Sequence, residues 1–190
     1  MTTQAMPAGP EWFGHPRGLF VCFATEMWER FSYYGMKYLL VLFLVQHHLF
    51  TDGEALRILG AYAALVYAMP LLGGIVSDRC LGQTKAIKLG GGLLVLGHCA
   101  MAFEGAPASQ GISGEIVRDN QAITVFYFAL ALIIVGVGLL KPNISTLVGR
   151  LYGENDPRRD GGFTIFYMGI NIGAASASLL CGWLASAFGW

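Results

Sequence analysis

The chain has 190 residues, 55% of them hydrophobic and only 13% charged, with a formal net charge of zero and a mean hydropathy of +0.55. Soluble domains carry about 25% charged residues, so composition sets a soluble fold aside. With no net positive charge and no basic cluster, a nucleic-acid surface is set aside too.

Five apolar segments follow a cytoplasmic tail at residues 1–18: near 19–49, 55–77, 86–103, 122–148 and 162–187. Short polar or glycine-containing turns separate them. A helix needs about 20 residues to cross the hydrocarbon core, and runs of this length without period-two alternation are not strands. The first is too long and too charged for a signal peptide. The expected class is therefore an all-α integral membrane protein, and the 26 glycines suit close packing between its helices. Four scattered cysteines, Cys22, Cys80, Cys99 and Cys181, read as small buried thiols. They lack ligand spacing, so no metal or cofactor is expected. His98 and the pair His47–His48 read as bystanders.

Lys and Arg favour the cytoplasmic side. With the N-terminus inside, Arg17, Arg79, Lys85, Lys88, Arg150, Arg158 and Arg159 fall in cytoplasmic segments, and only Arg57 and Arg118 fall outside. Arg30, Lys37 and Lys141 lie within apolar segments.

The first segment contains "EMWERFSYYG", residues 26–35, which puts Glu26, Glu29 and Arg30 in about one helical turn with no water around them. A charge at the bilayer centre costs roughly 2.5–3.5 kcal/mol on insertion scales. At 100° per residue, Glu26, Arg30, Tyr33 and Lys37 fall within about 60° of one another, with Glu29 about 60° to one side. The opposite side carries Val21, Trp28, Leu39 and Leu42. The polar stripe must face a polar interior.

Depth points the same way. Counted from Arg17, Asp78, Arg150 and Asp160, the residues Glu26, Tyr67, Lys141 and Asn171 lie about 13–17 Å from the cytoplasmic edge at ~1.5 Å per residue. Four helices thus offer polar groups to one layer. Pro142 beside Lys141 suggests a helix bent around a cavity. A purely structural reading stands beside this one: a buried Glu–Arg pair can simply pin helices, and Tyr67 can simply pack.

These residues resemble the proton-dependent oligopeptide transporters, the peptide branch of the major facilitator superfamily. "EMWERFSYYG" has that family's E-x-x-E-R-F-x-Y-Y-G form, and "GGIVSDRCLGQTKAIKLGGG" (73–92) looks like its first signature with the superfamily's G-x-x-x-D-R loop. "FTIFYMGINIGAA" (163–175) is similar to the second signature, and Lys141 in "LLKPNIS" takes the place of the fourth-helix lysine. Ala175 and Cys80 depart from the usual residues. Lys37 stands where close relatives often have arginine, and Gly60 stands where animal members have histidine. Proton handling should then rest on carboxylates.

The resemblance implies proton-coupled uptake of di- and tripeptides by alternating access between two six-helix bundles. The five spans would form the N-terminal bundle of that fold, with a sixth helix and the C-terminal bundle absent and the chain inactive alone. Arg30, Lys37 and Lys141 would hold the peptide carboxylate. Tyr33, Tyr34 and Tyr67 would supply hydroxyls and flat walls, and Asn171 would bond the peptide backbone. The ammonium would be met by the missing half.

Burial favours a neutral carboxyl and nearby cations favour an ionised one. Glu26, Glu29, Arg30 and Lys141 are therefore read as the proton-coupling group. Gly74, Asp78 and Arg79 are read as conformational control. The expected partners are protons, short peptides and lipid, in a bacterial inner membrane given the brief loops and lack of a targeting segment.

Alternatives are another proton-coupled carrier of the superfamily, for drugs or organic anions, and a non-transporting membrane peptide sensor. No H-E-x-x-H or G-x-S-x-G pattern supports an intramembrane enzyme.

Overall fold

The computed structural model describes residues 10–188, and these are helical apart from two short hairpins and connecting loops. In chain order the elements are β1 (Glu11–Trp12), β2 (His15–Pro16), α1 (Arg17–Gln46), α2 (Asp52–Val76), a π-helical turn (Ser77–Leu81) and α3 (Gln83–Met101). Then come β3 (Ser109–Gln110), β4 (Ile116–Val117), α4 (Asn120–Arg150) and α5 (Arg159–Phe188). Each hairpin is antiparallel, β1 with β2 and β3 with β4.

Three helical stretches are long and apolar enough to cross a membrane on their own composition: Asp52–Leu81, Asn120–Arg150 and Arg159–Ala187. α1 carries Arg17, Glu26, Glu29, Arg30 and Lys37, and its charge removes it from that group. α3 has 19 residues, opens with Lys85 and Lys88 and is interrupted by Gly90, Gly91 and Gly92. Both need neighbours to make a crossing favourable.

Local chemistry explains where the helices begin. Thr51 and Glu54 form a capping box at α2: the Glu54 N–H donates to Thr51 Oγ1 at 3.3 Å, and the Thr51 N–H donates to Glu54 Oε2 at 2.9 Å. Asp119 caps α4, with Oδ1 accepting from the N–H groups of Gln121 (3.0 Å) and Ala122 (3.1 Å). Its Oδ2 accepts from the Ala106 N–H at 3.3 Å. These bonds, that of Ala122 foremost, hold the Asp119 carboxyl below the usual carboxylate range. The cap's contribution is thus present above that range and fades as pH falls through the lowered value. Between the π-helical turn and α3, Gly82 adopts φ 74°, and its N–H closes the turn on the Ser77 carbonyl at 2.8 Å.

The chain divides into two units, Met1–Tyr38 with Ile144–Trp190, and Leu39–Asn143. In the first, Leu19, Cys22, Tyr33, Ile144, Val148, Tyr152 and Phe166 are buried. In the second, the core runs along α4, with Phe126, Ala129, Ile133, Val137 and Leu140 buried alongside Ala55, Tyr62 and Val66 of α2 and Ala86 of α3. Small residues let these backbones meet. A Cβ on Gly90 of α3 would lie 2.7 Å from the Gly136 carbonyl oxygen and 2.8 Å from the Leu140 nitrogen, and a Cβ on Gly73 of α2 would overlap the Gly138 carbonyl. This is the small-residue packing of membrane helices. Of the four cysteines expected to be buried, only Cys22 is; Cys80 and Cys99 are exposed and Cys181 half-buried. A thiol is small and apolar enough to face lipid as readily as a core.

Gly90 and Gly92 separate contact from helix propensity, because nothing lies within 4 Å of a Cβ built on Gly92. Gly90→Ala should destabilise the folded protein by about 1–3 kcal/mol through overpacking against backbone. Gly92→Ala should leave its melting temperature unchanged or raise it. Thermal unfolding in detergent checks this, and equal shifts for the two would contradict the packing assignment.

Candidate functional site

The first group of polar residues is built on α1. Glu26, Glu29 and Arg30 are buried at 2%, 5% and 4% exposure, where a lone charge would be costly. Arg30 resolves this with its planar fork: Nη2 donates to Glu29 Oε1 at 2.6 Å, and Nε donates to Glu29 Oε2. Nε also lies 3.4 Å from Glu26 Oε1, one helical turn back. Two carboxylates therefore share one guanidinium. The Arg30 side chain bends toward its sequence neighbour, although adjacent positions diverge on a helix. A bidentate carboxylate grip repays that bend.

Tyr33 extends the group. The Arg30 guanidinium carbon lies 5.1 Å from the Tyr33 ring centroid, and the Tyr33 and Tyr34 rings meet edge to face at 5.2 Å. Tyr33 is buried; Tyr34 and Lys37 are half-buried.

α5 closes on this part of α1 because glycines line the contact. A Cβ on Gly173 would overlap the Met27 carbonyl and lie 3.1 Å from Arg30 Cβ. One on Gly169 would lie 3.0 Å from the Phe23 carbonyl oxygen, and one on Gly35 would lie 2.6 Å from Cys181 Sγ. The "GINIG" run thus lets α5 reach the backbone beside the charged turn. Asn171, between those glycines, is exposed and donates from Nδ2 to the Tyr167 carbonyl at 3.2 Å.

A second group belongs to the other unit. The Lys141 ammonium lies 5.3 Å from the centre of the Tyr67 ring, and Tyr67 itself is 63% exposed. Pro142 removes one backbone donor from α4. Gly74 faces it: a Cβ built there would lie 3.9 Å from Pro142 Cβ. Asp78 and Arg79 sit exposed on the π-helical turn. Short π-helical segments break regular helix pairing and recur at functional sites.

Sequence reasoning missed a buried pair within this second unit. Ser77 Oγ donates to Asn143 Oδ1 at 2.6 Å, and Asn143 Nδ2 donates to the Leu139 carbonyl at 2.7 Å. Ser77 is fully buried and Asn143 is 3% exposed. One bond therefore ties the turn before Asp78 and Arg79 to the stretch of α4 that carries Lys141 and Pro142. The partners are 66 residues apart, so spacing could not reveal the bond. A polar residue directly after an intrahelical proline was the available signal. Among the described residues, no three His, Cys, Asp or Glu side chains come together as a metal site would require.

A family model described as the POT family matches residues 84–190. The chain is 46% identical over 179 residues to a di-/tripeptide transporter of Lactococcus lactis, covering 90% of this chain and 32% of that protein. It is 43% identical over 183 residues to an uncharacterized transporter of Bacillus subtilis, covering 94% of this chain and 34% of the relative. A crystal structure of a POT peptide transporter in complex with sulfate superposes with a TM-score of 0.84 at 40% identity, covering 97% of this chain and 35% of that one. A POT family transporter in complex with 5-aminolevulinic acid gives a TM-score of 0.77 at 36% identity, covering 98% and 36%. The chain spans about a third of the length of the relatives it matches.

The Ser77–Asn143 bond gives a direct prediction. Interhelical polar bonds in membranes contribute about 0.6–2 kcal/mol, so Asn143→Ala and Ser77→Ala should each destabilise by about that much. Their double variant should cost little more than either alone. A double-mutant cycle read by unfolding checks this, and additive losses would show that the bond does not form.

Proposed function

The chain belongs to the POT family, and from that membership we propose that it supplies the N-terminal part of the binding cavity of a proton-coupled carrier of di- and tripeptides. Its named relatives are transporters rather than enzymes. The observation that carries the reading is the buried sharing of Arg30 between Glu26 and Glu29. Burial and a neighbouring cation push a carboxyl in opposite directions, which suits a group that must load and release a proton.

In this proposal a glutamate of the α1 group takes the proton. Its neutralisation loosens the hold on Arg30 and frees the guanidinium for the peptide carboxylate. Lys141 and Lys37 offer further cations for that carboxylate. Tyr33, Tyr34 and Tyr67 give hydroxyls and flat apolar surface that tolerate varied side chains, and the exposed Asn171 amide offers a donor and an acceptor to a peptide bond. Gly74, Asp78 and Arg79 act on the conformational change, with Asp78 and Arg79 at the end of α2. Five helices cross the membrane with the N-terminus cytoplasmic, and a C-terminal bundle completes the cavity and meets the peptide ammonium. Moving one charge across the potential is worth about 2.3 kcal/mol per 100 mV, which drives accumulation.

One finding favours a broader substrate class. A POT family transporter binds 5-aminolevulinic acid, which, like a peptide, carries an ammonium at one end and a carboxylate at the other. On this second reading the site selects the two end charges rather than the peptide bond.

The test is labelled dialanine uptake into proteoliposomes holding the full-length protein under an inward proton gradient. Concentrative uptake abolished by a protonophore is expected. Glu29→Gln should lose accumulation while retaining peptide exchange at equal concentrations on both sides. Full accumulation by Glu29→Gln would remove Glu29 from coupling, and no uptake of dialanine by a protein that carries another substrate would overturn the peptide reading.

A further inference from the structure

The β1–β2 hairpin turns through Phe13 and Gly14, with φ of 50° and 78°. Positive φ at both central residues is the type I′ geometry, which favours Asn or Asp followed by Gly. Gly14 suits it. Phe13 does not, because a bulky side chain is strained in the left-handed region. The turn nevertheless presents that ring to the outside: Phe13 is 93% exposed and Trp12 50%.

The tip is held by bonds on both sides. Arg158 Nη1 donates to Glu11 Oε1 at 2.8 Å and to the Gly14 carbonyl at 3.0 Å. His15 Nδ1 and the Tyr152 hydroxyl are hydrogen-bonded at 2.8 Å. Toward α1, the Trp12 and Phe13 rings each lie 6.0 Å from the Phe20 ring, and the Arg17 guanidinium lies 5.0 Å from the Trp12 ring centre. A fixed pair of outward aromatic rings therefore sits beside a cation at the head of a helix that enters the membrane.

Trp rings with Lys or Arg mark the lipid headgroup layer, and a wholly apolar ring such as that of Phe13 beside them seats at its boundary with the acyl chains. Two side chains are too few to hold a protein partner, whose interface needs about 800 Å² per side, yet they suffice for an interfacial anchor on a chain already in the bilayer. We infer that the Trp12–Phe13 tip is a membrane-interface anchor, seated in the headgroup layer at the N-terminal end of α1. This rests on α1 crossing the bilayer, as proposed above. Interfacial anchors set the tilt and rotation of a helix, so this one fixes the depth at which Glu26, Glu29 and Arg30 lie.

The test places an environment-sensitive fluorophore at Phe13→Cys in the full-length protein with its other cysteines replaced. The protein is reconstituted in phosphatidylcholine–phosphatidylglycerol vesicles whose acyl chains are brominated near the headgroup, to read position 13, or near the chain ends, to read position 28. Labels at Glu154→Cys, exposed on the α4–α5 loop, and at Trp28→Cys, exposed midway along α1, serve as references. The label at 13 should lose the larger part of its emission to bromine while that at 154 keeps its own. Quenching at 28 but not at 13 would overturn the anchor and leave the span standing. Quenching at neither would overturn both. A blue-shifted label at 13 that bromine does not quench would mean that protein covers the tip, either a second copy or the remainder of the transporter, and would likewise overturn the anchor.

Discussion

The structure depends on one constraint: two carboxylates and a guanidinium held out of water within a single turn of α1. None of Glu26, Glu29 and Arg30 is more than 5% exposed, so each must find its solvation in the others or in neighbouring groups. The Arg30 fork supplies much of it, clasping Glu29 with two hydrogen bonds and reaching Glu26 as well. Removing one member would leave the others charged in a dry setting, which costs far more than a surface pair does. The constellation is thus demanding of its surroundings.

Glycine meets that demand. Gly169 and Gly173 let α5 lie against the α1 backbone at Phe23 and Met27, and Gly173 borders Arg30 itself. Side chains larger than hydrogen there would hold the helices apart and admit water or lipid to the charges. In the other unit the same device serves α4, where Gly73, Gly90, Gly136 and Gly138 bring carbonyls and backbone nitrogens of neighbouring helices together. Tight packing of this kind resists gradual deformation. The Ser77–Asn143 bond adds a fixed polar link between α4 just after Pro142 and the end of α2.

Much of this was legible in the sequence. Ionisable residues inside an apolar run draw attention because burial is costly, so Glu26, Glu29, Arg30 and Lys141 stood out as candidates without coordinates. The helical architecture followed from run length alone. Side-chain reach was harder to read. Angular position put Glu29 off the stripe, yet a long arginine side chain brings it into the tightest pair of the group. The pairing of Ser77 with Asn143 could not be read because no local pattern encodes a bond across 66 residues, although Asn143 directly after Pro142 was a hint. The β1–β2 hairpin fell in a stretch read only as a tail, since six residues offer no periodicity and Phe13 occupies a turn position that favours smaller residues.

The central claim is that the α1 carboxylates exchange a proton as substrate binds. It is tested most directly by mixing dialanine with the purified full-length protein in weakly buffered solution and following a pH indicator. The account predicts a change in bound protons on peptide binding that is lost in Glu29→Gln while binding itself persists. An unchanged proton signal in both Glu29→Gln and Glu26→Gln, with peptide bound to the same extent, would contradict it.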